Sequence, residues 1–165
     1  MHGFSLLELM IVIAIIAILA LIALPGVPDK FVRDQIVDAV KIADIAKAPV
    51  AAAWAATATL PVDNATAGLP PADRIVNNYI SSVAIESGAI QITFGNRANA
   101  NIRGKMLTFR PGVVEGAPIV PVAWVCGNAE APKNMTAKGL NKTDLELKYL
   151  PINCRSNGAP ASLSG

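Results

Sequence analysis

The 165 residues hold one histidine, His2, and two cysteines, Cys126 and Cys154. Nucleophilic catalysis by a Ser–His or Cys–His arrangement therefore has only a histidine beside the N-terminus to draw on. A zinc site built from Cys and His lacks its remaining ligands. Aromatic residues make up 5% of the chain, too few for a stacking platform for single strands or for an aromatic electron path. Charged residues are scarce at 16%, and the net charge of +2 selects no partner by itself. No glycine-rich phosphate loop, calcium loop, paired-carboxylate signature or internal repeat is present. The chain is not expected to be an enzyme, and no cofactor or metal is expected.

Hydrophobic side chains are plentiful, at 53%, with a mean hydropathy of +0.45. That is too apolar for a disordered chain, and the length suits one ordinary domain. The excess is concentrated. Glu8 is the only charged residue in residues 1–28, and every other charge lies in residues 29–165. Between Phe4 and Leu24 only Ser5 and Glu8 are polar, and a helix of that length rises roughly the 30 Å of a hydrocarbon layer. A secretory signal would need a basic start and a shorter apolar core. The bulky run Leu9–Leu24 is also hard to bury in so small a domain. A membrane span is expected, with Glu8 as its anomaly. An ionised carboxylate there costs about 2.5–3.5 kcal/mol, so it calls for a positive partner.

The run Gly3-Phe4-Ser5-Leu6-Leu7-Glu8-Leu9-Met10-Ile11-Val12-Ile13-Ala14, continuing to Pro25, resembles the N-terminal signature of type IV pilins. The resemblance implies that a prepilin peptidase cuts between Gly3 and Phe4 and that Phe4 becomes the N-methylated terminus. It also implies that Glu8 guides assembly of a homo-oligomeric helical filament, with Pro25 where the family tends to have proline. The subunit would wait in the bacterial inner membrane, meet the pilus assembly machinery there, and end in the fimbrium at the cell surface. An amine created at Phe4 is a cation stranded in an apolar bundle. A Glu8 carboxylate from a neighbouring subunit would resolve both desolvation problems together. Pairing within one helix is also conceivable, but only the intermolecular pair sets a filament's stagger.

Three departures accompany the match. The leader Met1-His2-Gly3 is shorter than the lysine-bearing leaders usual in the family. Lys30, Arg33 and Lys41 follow the span with no basic residue before it, so the positive-inside rule alone would put the C-terminal domain in the cytoplasm. A basic leader ahead of Met1 is therefore expected. Ala17 stands where many members have glycine, and Pro25, Gly26 and Pro28 supply helix-breaking character instead.

Beyond Pro28, Val32, Ile36, Ala39, Val40, Ala43 and Ala46 recur at helical spacing, predicting an amphipathic helix over 29–58. Asp29 suits a cap or first-turn acid, and Lys30–Asp34 and Asp44–Lys47 are spaced as ion pairs. Pro49 should kink or end this helix. Residues 60–74 read as a loop. Tyr79–Glu86 and Ala89–Phe94 read as a hairpin about Ser87-Gly88. Lys105–Arg110 and Ile119–Val125 are further strands, split by the turn-rich Pro111-Gly112 and Glu115-Gly116, with Pro121 marking an edge or bulge. The expectation is an α+β fold: a long bent N-terminal helix packed on a roughly four-stranded antiparallel meander. The divisions are a leader at 1–3, a transmembrane and filament-core helix at 4–28, an amphipathic helix at 29–58, and a globular head at 59–165.

Taken alone, Cys126 and Cys154 admit free thiols, a weak metal pair or a disulfide, and no further Cys or His is at hand to complete a metal site. Export and the pilin resemblance imply the disulfide, closing a C-terminal loop over 126–154. Asn64-Ala65-Thr66, Asn134-Met135-Thr136 and Asn141-Lys142-Thr143 match the glycosylation sequon and are read as chance. Residues 97–165 carry nine Lys and Arg against four acids, so Arg97, Arg103 and Lys105 are candidate contacts for DNA or for anionic host and abiotic surfaces, or simply a solvated face. The expected function is a structural subunit of a type IV pilus, serving adhesion, twitching motility or DNA uptake. Two alternatives share parts of the pattern: a pseudopilin of a type II secretion system, and a single-span anchor with a binding domain that never polymerises.

Overall fold

Leucine, isoleucine and alanine fill positions 6–23 almost without interruption, and in the computed structural model of the chain they form one helix, α1 (Leu6–Ala23). The structure describes residues 3, 5–23 and 27–156. Phe4, Leu24, Pro25, Gly26 and the leader residues Met1 and His2 therefore lie outside the described residues. The Ser5 carbonyl accepts the first helical bond from the Leu9 N–H at 3.2 Å. The 18 residues of α1 rise about 27 Å. No helix among the described residues is long and apolar enough to cross a membrane. The chain divides into two units, residues 1–31 and 32–165.

The amphipathic segment forms two helices, α2 (Val27–Val40) and α3 (Ala43–Thr57). Pro28 lies in the first turn of α2, where a missing N–H costs no helical bond, and Asp29 is the first-turn acid. The interruption comes at Lys41-Ile42, not at Pro49. There the Ile42, Asp44 and Ile45 N–H groups each bond three residues back, tightening the turn. Pro49 sits inside α3, and the carbonyl it leaves without a donor belongs to Ile45, an exposed residue that water can serve. Of the two expected ion pairs, Lys47–Asp44 forms at 2.8 Å. Lys41 pairs with Asp38 at 2.8 Å as well.

Of the predicted stripe, Val32, Ile36, Ala39, Ala43 and Ala46 are buried and Val40 is partly buried against them, with Val50 joining one turn further on, so the stripe is the helical side of the core. The alanines let the helix backbone lie close to the sheet. The sheet is antiparallel with strand order β1 (Ile80–Glu86), β2 (Ala89–Phe94), β3 (Met106–Val113), β4 (Ala123–Cys126). A two-residue strand, β5 (Thr136–Ala137), pairs with the end of β3 and makes five strands in place of the four expected. Ile80, Val83, Ile90, Ile92, Phe94 and Leu107 meet the helices in one core.

Pro111-Gly112, expected as a turn, lies within β3, opposite Trp124 and Ala123. The pairing of β2 with β3 stops at Ile90 opposite Phe109, so no β2 residue needs the N–H that Pro111 lacks. The Pro111 carbonyl instead accepts the Lys138 N–H at 2.9 Å. β4 is shorter than the expected Ile119–Val125, beginning at Ala123 beyond Pro121.

Candidate functional site

Three regions carry the expected functional residues, beginning with the N-terminal signature. Gly3 is exposed and lies just ahead of α1, and Glu8 is the acid of the first helical turn, also exposed. A carboxylate suits that position because the free N–H groups of a helix N-terminus carry partial positive charge. Phe4 and Pro25 fall outside the described residues. Every large apolar side chain of α1 from Leu6 to Ile22 is exposed, from 44% at Val12 to 78% at Leu6.

The second region is the C-terminal loop. Cys126, the last residue of β4, is disulfide-bonded to Cys154, with their Cα atoms 4.5 Å apart. Gly127 follows with φ +53°, and a Cβ there would lie 2.8 Å from the Cys154 carbonyl oxygen, so only glycine fits beside the bridge. The Asn128 N–H then donates to that same carbonyl at 2.9 Å. The Arg110 guanidinium on β3 donates to the Gly127 and Ala129 carbonyls at 3.3 and 3.2 Å, clamping the start of the loop. At the other end Tyr149 is buried, and its hydroxyl accepts a bond from Asn101 at 2.8 Å. The Lys148 carbonyl accepts from Arg33 at 2.7 Å, tying the loop's C-terminal side to α2.

The third region is the connection between β2 and β3. It carries Arg97, Arg103 and Lys105 together, all exposed. They are not equally free: Arg103 donates to the Ala98 carbonyl at 3.0 Å, and Lys105 faces the Asp144 carboxylate at 3.7 Å. Elsewhere, Lys138 holds the Glu115 carboxyl below its ordinary range, and the Thr66 N–H does the same for Asp63. The Tyr149 side chain beneath it and then the Glu146 carboxylate at 3.2 Å raise the Lys148 ammonium above its ordinary pKa. Among the described residues no group of three or more His, Cys, Asp or Glu could hold a metal ion.

Sequence reasoning missed three side chains. Asn64, read only as part of a sequon, is buried; its amide donates to the Pro70 and Val83 carbonyls at 2.9 and 3.0 Å and accepts from the Ile85 N–H at 2.6 Å. An amide so used has no free nitrogen for a glycan. Gln91 and Thr108 are buried on the outer face of the sheet: the Thr108 hydroxyl donates to Gln91 at 2.6 Å and accepts from the Lys142 N–H at 2.9 Å, and Gln91 donates to the Leu140 carbonyl at 3.0 Å. The strand 89–94 places Gln91 on the outer face by alternation, but no local signal shows that residues 140–143 cover it.

A helical stripe on an antiparallel sheet, a disulfide-closed C-terminal loop and an apolar N-terminal helix with one acid define a filament-subunit architecture. The pilin family model, describing subunits of bacterial filaments, matches residues 32–155, and the prokaryotic N-terminal methylation motif matches residues 1–24. The chain belongs to the pilin family. It is 36% identical over 160 residues to the type IV major pilin protein PilE1 of Neisseria gonorrhoeae, covering 93% of this chain and 86% of that protein. It is 33% identical over 162 residues to a fimbrial protein of Neisseria meningitidis serogroup A, covering 93% of each chain. With the fimbrial protein EcpC of Eikenella corrodens it shares 35% identity over 162 residues, covering 96% of this chain and 93% of that one. The chain is thus a structural subunit of a type IV pilus, a homo-oligomeric filament at the cell surface, and its motif implies processing by a prepilin peptidase.

Proposed function

We propose that the subunit is held in the inner membrane through residues 4–28, is cut between Gly3 and Phe4, and carries an N-methylated Phe4 thereafter. The inner-membrane assembly machinery then draws it into a helical filament whose core is made of these segments, with Pro25 near their end. The observation that carries this reading is α1, exposed around its whole circumference and bearing a single charge at Glu8. Apolar surface of that extent is stable only when lipid or like helices cover it. In the filament the Glu8 carboxylate pairs with the Phe4 amine of the next subunit, and the pair sets the stagger. Shearing cells and probing the sheared fraction for this chain tests the reading; a chain found only in the membrane fraction overturns it.

The head, residues 59–165 with its disulfide loop 126–154, forms the outer wall, where adhesion, twitching motility or DNA uptake acts. The disulfide supports a pilus subunit over a secretion pseudopilin. The basic connection at Arg97, Arg103 and Lys105 is proposed as a contact for DNA or for anionic host and abiotic surfaces. Three exposed cations on one short connection support this, and the Asp144 partner of Lys105 weakens it. Replacing all three with Gln should weaken DNA binding by sheared filaments and flatten its salt dependence. Unchanged affinity across salt would return these charges to an ordinary solvated surface.

A further inference from the structure

Between β3 and β4 the chain makes a stiff apolar knob. The Ala117 N–H donates to the Val114 carbonyl at 3.2 Å, and the Val120 N–H donates to the Ala117 carbonyl at 3.0 Å, giving two tight turns in succession. Pro118 and Pro121 fix the backbone on either side of Ile119. Ile119 is 91% exposed, the most of any large apolar side chain among the described residues. A side chain on so ordered a turn loses little freedom when it is buried.

Elsewhere on the same unit an apolar groove of about 170 Å³ is lined by Val37, Val40, Phe109, Pro151, Asn153 and Cys154. This is below the roughly 300–1,000 Å³ of small-molecule sites and suits one branched side chain. Val37, one of the lining residues, is 49% exposed, so the groove is open to a partner at that edge. Its floor is fixed, because Cys154 is bridged to Cys126 and the Lys47 ammonium sits 4.7 Å from the centre of the Phe109 ring. Phe109 pairs with Cys126, whereas the knob leaves β3 after Val113, about 13 Å further along the strand. Knob and groove are therefore different patches. A contact between different patches repeats head to tail and, where its rotation does not close a ring, builds an open helical polymer.

We propose that Ile119 of one subunit seats in this groove on another copy in the filament. The inference rests on the polymerisation described above and adds to it a head-to-head contact. One side chain in one groove falls well short of the roughly 1,200 Å² of a self-sufficient interface. The contact therefore sets the register of the heads, and the N-terminal helices, which raise the effective concentration of heads, supply the cohesion.

The test uses the full chain in filament-forming cells carrying Val37→Cys and Ile119→Cys together. Sheared filaments are treated with a short thiol cross-linker and run under denaturing, non-reducing conditions. A ladder of dimers, trimers and larger species is expected, with monomer alone from either single variant and from a Val37→Cys, Val62→Cys control. Filaments without a ladder, or dimers from the single Ile119→Cys variant, overturn the contact. Should the double variant yield no filaments, Ile119→Leu and Ile119→Glu decide. The Leu variant should keep wild-type amounts and the Glu variant should lose about tenfold; wild-type amounts from Glu, or equal losses from both, overturn the contact. Absence of the wild-type chain from sheared material would overturn the polymerisation reading instead.

Discussion

Glu8 is the residue whose chemistry departs most from its surroundings. Removing its carboxylate makes membrane insertion easier by about 2.5–3.5 kcal/mol, so the amount of membrane-held Glu8→Ala should hold or rise. Assembly should fail, because the Phe4 amine of the neighbour is left as an unpaired cation in the filament core. Glu8→Gln keeps the shape without the charge and should fail nearly as badly, while cleavage after Gly3 continues in both. Comparing inner-membrane and sheared fractions checks this, and wild-type amounts of Glu8→Ala filament would rule out the charge pair. Asn64 has the opposite character, a neutral side chain whose role is wholly structural. Asn64→Ala leaves the Ile85 N–H and the Pro70 and Val83 carbonyls without partners inside the head. A loss of about 2–4 kcal/mol is expected in denaturant unfolding of the full chain in detergent.

Among the elements, β3 organises the head. It pairs with β2 on one edge, with β4 on the other, and with β5 past the end of β2. Its outward Thr108 holds residues 140–143 across the sheet through Gln91 and the Lys142 N–H, and the Thr108 N–H itself donates to the Thr143 hydroxyl at 3.0 Å. Thr108→Val preserves the β-branched shape and removes the hydroxyl, leaving Gln91 and the Lys142 N–H unsatisfied. We expect about 1–3 kcal/mol of destabilisation. Hydrogen exchange should show the Lys142 amide losing protection while the amides pairing β1 with β2 keep theirs; uniform loss across the sheet would contradict local anchoring.

For the whole molecule, the Cys126–Cys154 bridge joins the end of the sheet to the C-terminal turn over a sequence separation of 28 residues. Closing such a loop contributes about 3–4 kcal/mol on the chain-entropy account. Replacing both cysteines with serine should lower head stability by about that much. In the wild type, mass spectrometry of alkylated, non-reduced protein should recover Cys126 and Cys154 in one linked peptide pair. The tie between Arg33 and the Lys148 carbonyl and that between Tyr149 and Asn101 hold the far side of the loop, so the double variant should loosen the segment after Cys126 before the core opens.

Much of this protein was legible in its sequence because the relevant signals are local. An unbroken apolar run marks α1, and hydrophobic period marks the buried stripe Val32, Ile36, Ala39, Ala43 and Ala46, since the pitch of a helix is set by its own backbone. The strand Ala89–Phe94 and its Ser87-Gly88 turn are local for the same reason, and the N-terminal motif from Gly3 to Glu8 is contiguous. Tertiary structure decided what depends on distant partners. Pro111-Gly112 reads as a turn in isolation and becomes strand because β2 ends before Pro111 and the Lys138 N–H arrives to meet its carbonyl. Gln91 and Thr108 alternate outward as polar surface, yet they are buried because a segment far along the chain folds over them. Local sequence sets where a side chain points, and only long-range packing determines what it meets there.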